Sequence, residues 1–283
     1  MPKFRLLHER LLRDRITSEE FVFQPELPPQ DWLELVHDRA YIRAYCQGTL
    51  DTKAQRRIGL PWSAALAERT RLAVGGTVLT AKLALSYGVA CNTAGGTHHA
   101  FPSYGSGFCI FNDLAVAARV LLHLGLVQRL LIVDLDVHQG DGTAFIFQDE
   151  PAVFTFSMHC ADNFPGRKQQ SDLDIGLPQG LDDDGYLQIL AQTLPELLDR
   201  VRPDLVLFDA GVDVHVEDRL GKLALSDRGL YRRERLVLGT CMAAGCPIAS
   251  VIGGGYAADL EALIARHAYL HRAAQEVSQQ YKL

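Results

Sequence analysis

Residues 130–141, Leu-Leu-Ile-Val-Asp-Leu-Asp-Val-His-Gln-Gly-Asp, join an unbroken apolar run to a loop crowded with carboxylates and one imidazole. A strand that is apolar at consecutive positions, rather than at every second one, is covered on both faces. That is the signature of a parallel sheet sandwiched by helices. The same grammar recurs along the chain. Strands are predicted at 89–92, 130–135, 152–157, 204–209 and 248–252. Helical periodicity is predicted at 3–14, 30–46, 62–87, 112–124, 185–200, 228–244 and 258–278. Strands alternating with helices predict an α/β fold in three layers, a mostly parallel sheet with helices on both faces. With no repeat and no low-complexity linker, one catalytic domain over 1–283 is expected.

Composition narrows the class. A chain of 283 residues with 48% hydrophobic and 22% charged residues has the balance of a globular protein. A net charge of −6 argues against a direct nucleic-acid binder, which would carry a basic face, and is compatible with a cationic substrate. No apolar run nears the roughly 20 residues of a membrane span. The basic start, Met1 to Arg15, lacks the apolar core and small-residue end of a secretory signal. Six scattered cysteines without a CxxC pair read as reduced thiols, and a cytoplasmic location is expected.

Four strands run into loops rich in His, Asp and Gly: 95–99 (GGTHH), 134–141 (DLDVHQGD), 209–213 (DAGVD) and 253–256 (GGGY). Ligands of open α/β sheets bind outside the carboxyl ends of the strands, so the four loops are expected to converge on one crevice. Asp136 and His138 are two residues apart, and in extended backbone their side chains project to the same side. Such a pair alone is a weak signal. At a strand end, with Asp213 as a third donor, it becomes a set of zinc ligands that leaves one position open, as catalytic zinc requires.

The tandem His98 and His99 follow a glycine turn, and burying both without partners would cost several kcal/mol. Asp134 and Asp141 are the available carboxylates, so the pairs His98–Asp134 and His99–Asp141 are expected, one imidazole acting as general base and then general acid. Tyr256, on a three-glycine turn, is placed to donate to a developing oxyanion. The glycines lack the spacing of a phosphate-binding loop. Gly107-Phe108 and Asn163-Phe164-Pro165-Gly166 each offer an aromatic near the site, as core residues or as walls of an apolar tunnel.

In order along the chain stand GGTHHA (95–100), GFCIFND (107–113), DLDVHQGDG (134–142), DAGVD (209–213), DRLGKLALS (218–226) and GGGY (253–256). By these motifs the chain resembles the histone deacetylase superfamily, whose fold is shared with arginase. HQGDG and DRLGxL look most like class IV and its bacterial relatives. The resemblance runs from about residue 3 to 275.

It implies zinc on Asp136, His138 and Asp213, catalysis by His98, His99, Asp134, Asp141 and Tyr256, and an acyl-lysine tunnel of Gly107, Phe108 and Phe164 with Leu220 at its rim. It also implies a structural potassium ion held by backbone groups of Asp134, Asp136, His138 and Met158 with the Ser157 hydroxyl. The implied reaction is hydrolysis of an Nε-acyl-lysine, or a related acylated amine such as an acetylpolyamine, by metal-activated water. Two other readings remain: an arginase-like dimanganese hydrolase, which needs further carboxylates, and an inactive acyl-lysine-binding module, which predicts a lost ligand or tyrosine. Similar donor sets also take iron(II).

Two departures stand out. Gln139 replaces a histidine common in class I. Family members also carry a first strand, inside the sheet, before the segment matching 2–5, so the resemblance implies unpaired ladder groups and an exposed apolar edge here.

Overall fold

The computed structural model describes residues 2–282. Among the described residues six strands form one sheet: β1 (Val89–Cys91), β2 (Leu130–Asp134), β3 (Val153–Cys160), β4 (Leu173–Leu177), β5 (Leu205–Asp209) and β6 (Ile248–Val251). Their spatial order is β1-β6-β5-β2-β3-β4, and every neighbouring pair is parallel. The helices are α1 (Lys3–Arg13), α2 (Gln30–Glu34), α3 (Arg39–Cys46), α4 (Thr52–Ile58), α5 (Ala64–Tyr87), α6 (Asp113–His123), α7 (Asp141–Phe147), α8 (Asp183–Val201), α9 (Asp227–Ala243) and α10 (Leu260–Tyr281).

Side chains of a strand alternate between faces, and here both faces meet a hydrophobic layer. Leu131 and Val133 of β2 join the core made with α1, α8, α9 and α10. Leu130 and Ile132 join the core made with α2, α3, α5 and α6. All five residues of β2 and of β5 are buried, which explains why the runs are continuously apolar. The architecture is the expected three-layer α/β fold, with a sheet that is wholly rather than mostly parallel.

The structure corrects the element boundaries in several places. The expected helix 30–46 is two helices, because the chain leaves α2 to dock the segment after the histidine pair. The buried His37 Nδ1 lies 3.0 Å from the Phe101 carbonyl, its Nε2 accepts from the Asn112 N–H at 2.9 Å, and the Asp38 N–H donates to Pro102. Strand β4 was not expected; its residues alternate between exposed and half-buried, as at a sheet edge. Helices α4 and α7 were not expected either. Among the described residues the ladder runs unbroken from β1 to β4, and the edge left unpaired beyond β6 is β1, three residues long, half-buried and packed between α5 and α10; so short an edge limits edge-to-edge pairing.

A candidate metal-dependent active site at the strand ends

Strands β2 and β5 end side by side, Asp134 opposite Asp209, and β6 ends one strand further on with Val251 opposite Asp209. Past these points the chains splay, and the loops bring Asp136, His138 and Asp213 together. One donor atom from each lies within 4.8 Å of the others, and all three residues are buried. His138 Nδ1 is 2.9 Å from Asp136 Oδ1 and 3.2 Å from Asp213 Oδ2. Backbone amides hold the carboxylates in place: Val137 N–H donates to Asp213 Oδ1 at 2.9 Å, and Gly254 N–H to Asp136 Oδ2 at 2.8 Å. Asp213 Oδ2 has no well-formed hydrogen bond, although it is fully buried.

The charge state describes the same cavity of donors. Burial opposes a charge on His138, yet Asp136 and Asp213 outweigh it and raise the imidazole to about 10. Burial, reinforced by Asp136, lifts Asp213 to about 7. Protons are thus held where one cation would satisfy all three groups, because an unpaired buried carboxylate is costly. One nitrogen and two carboxylate oxygens are a donor set suited to a divalent metal ion.

The histidines lie beside this cluster with ring centroids 4.1 Å apart. His98 Nδ1 is 2.7 Å from Asp134 Oδ2, and His99 Nδ1 is 2.6 Å from Asp141 Oδ1. With each Nδ1–H donating to its carboxylate, each Nε2 is left free toward the site. The two imidazoles differ. Burial works against a charged His98, but Asp134, Asp136 and Asp209 override it and hold its pKa well above the usual range. For His99, burial and then the neighbouring charge of His98 prevail over Asp141, and its pKa falls to about 4. One ring is an imidazolium at neutral pH and its neighbour a free base.

Tyr256 follows the glycine turn after β6, its N–H donating to Asp218 Oδ2 at 2.7 Å. Burial, then the Asp136 and Asp213 charges, raises its phenol well above the ordinary value, so it stays a donor. Its ring is 5.8 Å from that of Phe108. Phe164 stands edge-on to His99 at 4.8 Å, and Gly107 has room only for a hydrogen, since a Cβ would sit 2.7 Å from the His99 ring.

A cavity of about 380 Å³ opens here, lined by His98, His99, Asp136 and Tyr256. It runs inward from Phe108 toward Lys3 and α5, so Phe164 and Leu220 stand outside its lining. Leu220, half in solvent, offers its carbonyl to Asn163 at 2.7 Å.

Ser157 lies opposite Asp134 in the ladder, with Met158 next to it. The Ser157 hydroxyl is 2.9 Å from His159 Nδ1. Gln139 turns from the metal ligands and bonds the Gln169 backbone and Asp174, tying the loop to the β4 side.

Sequence reasoning passed over three residues. Asp113 accepts from the N–H groups of Gly96 and Thr97 and so anchors the histidine loop. Its signal was visible: it sits beside the Asn112 cap at the start of α6. Asp209 is wholly buried, 3.8 Å from His98 Nδ1, with neither oxygen hydrogen-bonded among the described residues; its place at a strand end, like that of Asp134, was the clue. Lys3 lines the inner cavity, and burial, ahead of the opposing pull of Asp213 and Asp136, brings its amine down to about 8. Nothing in its spacing foretold that.

An α/β sheet whose strand ends gather three metal donors, two imidazole–carboxylate pairs and a phenol has the equipment of a metal-dependent hydrolase. The comparisons with known proteins agree. The histone deacetylase domain family matches residues 1–271, and the chain belongs to that family. It is 70% identical over 277 residues to an uncharacterised protein of Picosynechococcus, covering 98% of this chain and 92% of that one. It is 32% identical to the acetoin utilization protein AcuC of Staphylococcus aureus, over 81% of this chain and 64% of that protein. To histone deacetylase 2 of Arabidopsis thaliana it is 32% identical, over 66% of this chain and 49% of the other. The chain thus spans less than two thirds of the length of these last two relatives. An HDAC homologue from Aquifex aeolicus superposes with a TM-score of 0.81 at 27% identity, over 96% of this chain and 77% of that one. No described helix is long and apolar enough to cross a membrane.

Proposed function

We propose that the chain is a zinc-dependent deacylase that hydrolyses the amide of an Nε-acyl-lysine, in a peptide or protein, or of a similar acylated amine. The observation that carries this reading is the meeting, at one set of strand ends, of the Asp136, His138 and Asp213 cluster with two unlike histidines and a protonated phenol, beside a cavity lined by Asp136, both histidines and Tyr256. Zinc on the three donors supplies Lewis acidity toward water and the acyl carbonyl. The chain's own groups do the rest. His99, a free base, takes the proton of the attacking water and passes it to the leaving lysine amine. His98, held as imidazolium between Asp134 and Asp209, offsets the negative charge that develops. Tyr256 donates its O–H to the same oxygen, an interaction stronger in the transition state than in the ground state.

DRLGxL at 218–223 and the Gln139 form of the motif favour the class IV branch and its bacterial relatives. Residues 1–283 act as one catalytic domain, a potassium ion at Asp134, Asp136, His138, Ser157 and Met158 braces the loop beneath the metal, and the free cysteines fit a cytoplasmic setting.

The test is a panel of lysine peptides carrying acetyl, propionyl, octanoyl and myristoyl groups, with an acetylated polyamine as an additional arm, followed by mass spectrometry. Release of free lysine from at least one peptide is expected. Turnover of the polyamine alone moves the substrate to small amines. Folded, zinc-loaded protein that turns over nothing on the panel sinks the enzyme reading and leaves a binding module.

A further inference from the structure

Arg233 sits in the middle of α9, where a helix facing the core ordinarily carries an apolar residue, and its side chain is fully buried. One guanidinium nitrogen, Nη1, donates to the Gly211 carbonyl at 2.8 Å and to the Leu135 carbonyl at 3.2 Å. The other, Nη2, is 2.5 Å from Glu234 Oε1. Glu234 is itself buried.

Those two carbonyls hold distinctive places. Leu135 lies between Asp134 and Asp136, and Gly211 lies between Asp209 and Asp213. The last rung of the β2–β5 ladder joins Asp134 to Asp209, with Leu135 N–H donating to the Asp209 carbonyl at 3.1 Å. Beyond it the strands diverge, and the next amides are claimed by side chains: Asp136 N–H by Asp134, and Val137 N–H by Asp213. Among the described residues no backbone donor reaches the Leu135 or Gly211 carbonyl. Arg233 takes the place of the missing rung. A planar fork fixes the direction of its donors, so it sets the separation of the two loops as well as filling their acceptors.

Stability alone does not explain this choice. A buried ion pair is seldom better than apolar side chains of the same volume, and α9 buries Leu230, Val237 and Leu238 elsewhere along the same face. We infer that Arg233 is a positioning residue: by bridging Leu135 and Gly211 it fixes Asp136 and Asp213 at the spacing the metal requires, and Glu234 neutralises the charge that this costs.

The inference rests on the proposed metal site, so zinc binding by the wild-type chain is measured first. If that chain binds no zinc, the proposed function fails and Arg233 is not yet in question. With wild-type binding in hand, the full-length Arg233→Met/Glu234→Leu variant removes both charges and keeps the volume. The readouts are the melting temperature of metal-free protein, zinc affinity against a competing chelator, and the visible spectrum of the cobalt-substituted site.

A residue that only fills the core predicts wild-type values for all three. The positioning role predicts a melting temperature near that of wild type, zinc affinity lowered about 10- to 100-fold, as for other groups that orient metal ligands, and a changed cobalt spectrum. Wild-type affinity and spectrum in a folded double variant overturn the proposal. If that variant does not fold, Arg233→Lys decides, since it keeps the charge beside Glu234 but not the fork. Weakened zinc binding supports the bridge and unchanged binding refutes it. Failure of both variants to fold makes Arg233 a structural residue and likewise ends the proposal.

Discussion

Adding one methyl group at Gly254 should remove the metal while leaving the fold in place. The Gly254 amide donates to Asp136 Oδ2, and a Cβ on this residue would stand 2.5 Å from that oxygen and closer still to Asp213 Oδ2. Ordinary carbon–oxygen contact needs about 3.4 Å, so the Asp136 carboxylate would have to retreat by roughly 0.9 Å. Metal–ligand distances tolerate only about ±0.2 Å. Gly254→Ala is therefore expected to lower zinc affinity by about 100-fold or more, close to 3 kcal/mol at 1.4 kcal/mol per decade. The penalty is steric rather than conformational, because Gly253 and not Gly254 has the left-handed backbone, with φ 59°. Overpacking should cost the metal-free protein about 1–3 kcal/mol. A fluorescent-chelator competition gives the affinity, and thermal melts with and without EDTA separate the two effects. Gly239→Ala, in α9 with nothing within 4 Å of the new methyl, is the control, and should stabilise by about 0.5–1 kcal/mol. A folded Gly254→Ala protein that binds zinc as tightly as wild type refutes the placement of the ion among these carboxylates.

The remaining predictions address catalysis and acid stability. Tyr256→Phe should lower kcat by about 10²- to 10³-fold with little change in KM and none in zinc content, read by steady-state kinetics beside metal analysis; a rise in KM with kcat unchanged would mean the phenol binds substrate and transition state alike. His99→Asn should lower kcat by about 10²- to 10⁴-fold with full zinc occupancy, and zinc loss in that variant would make His99 a ligand instead. His37 is buried neutral, and burial outweighs its carbonyl contacts to bring its pKa down to about 4. The unfolded chain therefore binds this proton first as pH falls. Stability is full above the unfolded value of about 6.5, and on the order of 3 kcal/mol is lost by pH 4. Denaturant midpoints for wild type and His37→Gln should converge as pH drops from 7 to 4, and parallel curves would contradict the assignment.

How much of this was legible in the sequence depended on whether a feature is local. Strands β2 and β5 were plain because burial on both faces writes four apolar residues in a row before the terminal aspartate. Strand β4 was hidden because an edge strand with Asp174 and Gly176 turned outward looks like a loop. Helix α7 was masked because its first turn, Asp141–Gly142, is also the end of the carboxylate-rich motif. The pairing of His98 with Asp134 and of His99 with Asp141 followed from the cost of burying two imidazoles without partners. The inner reach of the cavity did not, since it depends on α1 packing against α10, a contact between the two ends of the chain. Arg233 was invisible for the same reason: in sequence it is one more basic residue in Tyr-Arg-Arg-Glu-Arg (231–235), and only its reach to the Leu135 and Gly211 carbonyls, beyond the ends of β2 and β5, shows that it alone of the three arginines is buried.

The central claim is that the Asp136, His138 and Asp213 cluster holds an ion on which deacylation depends. The most direct test is turnover of the best acyl-lysine peptide by one preparation assayed as isolated, after chelation and dialysis, and after addition of one equivalent of zinc, with Asp213→Asn carried in parallel. The account predicts activity that is lost on chelation, returns with one equivalent of zinc, and is absent from Asp213→Asn throughout. Undiminished turnover by the metal-free protein, or by Asp213→Asn, would contradict it.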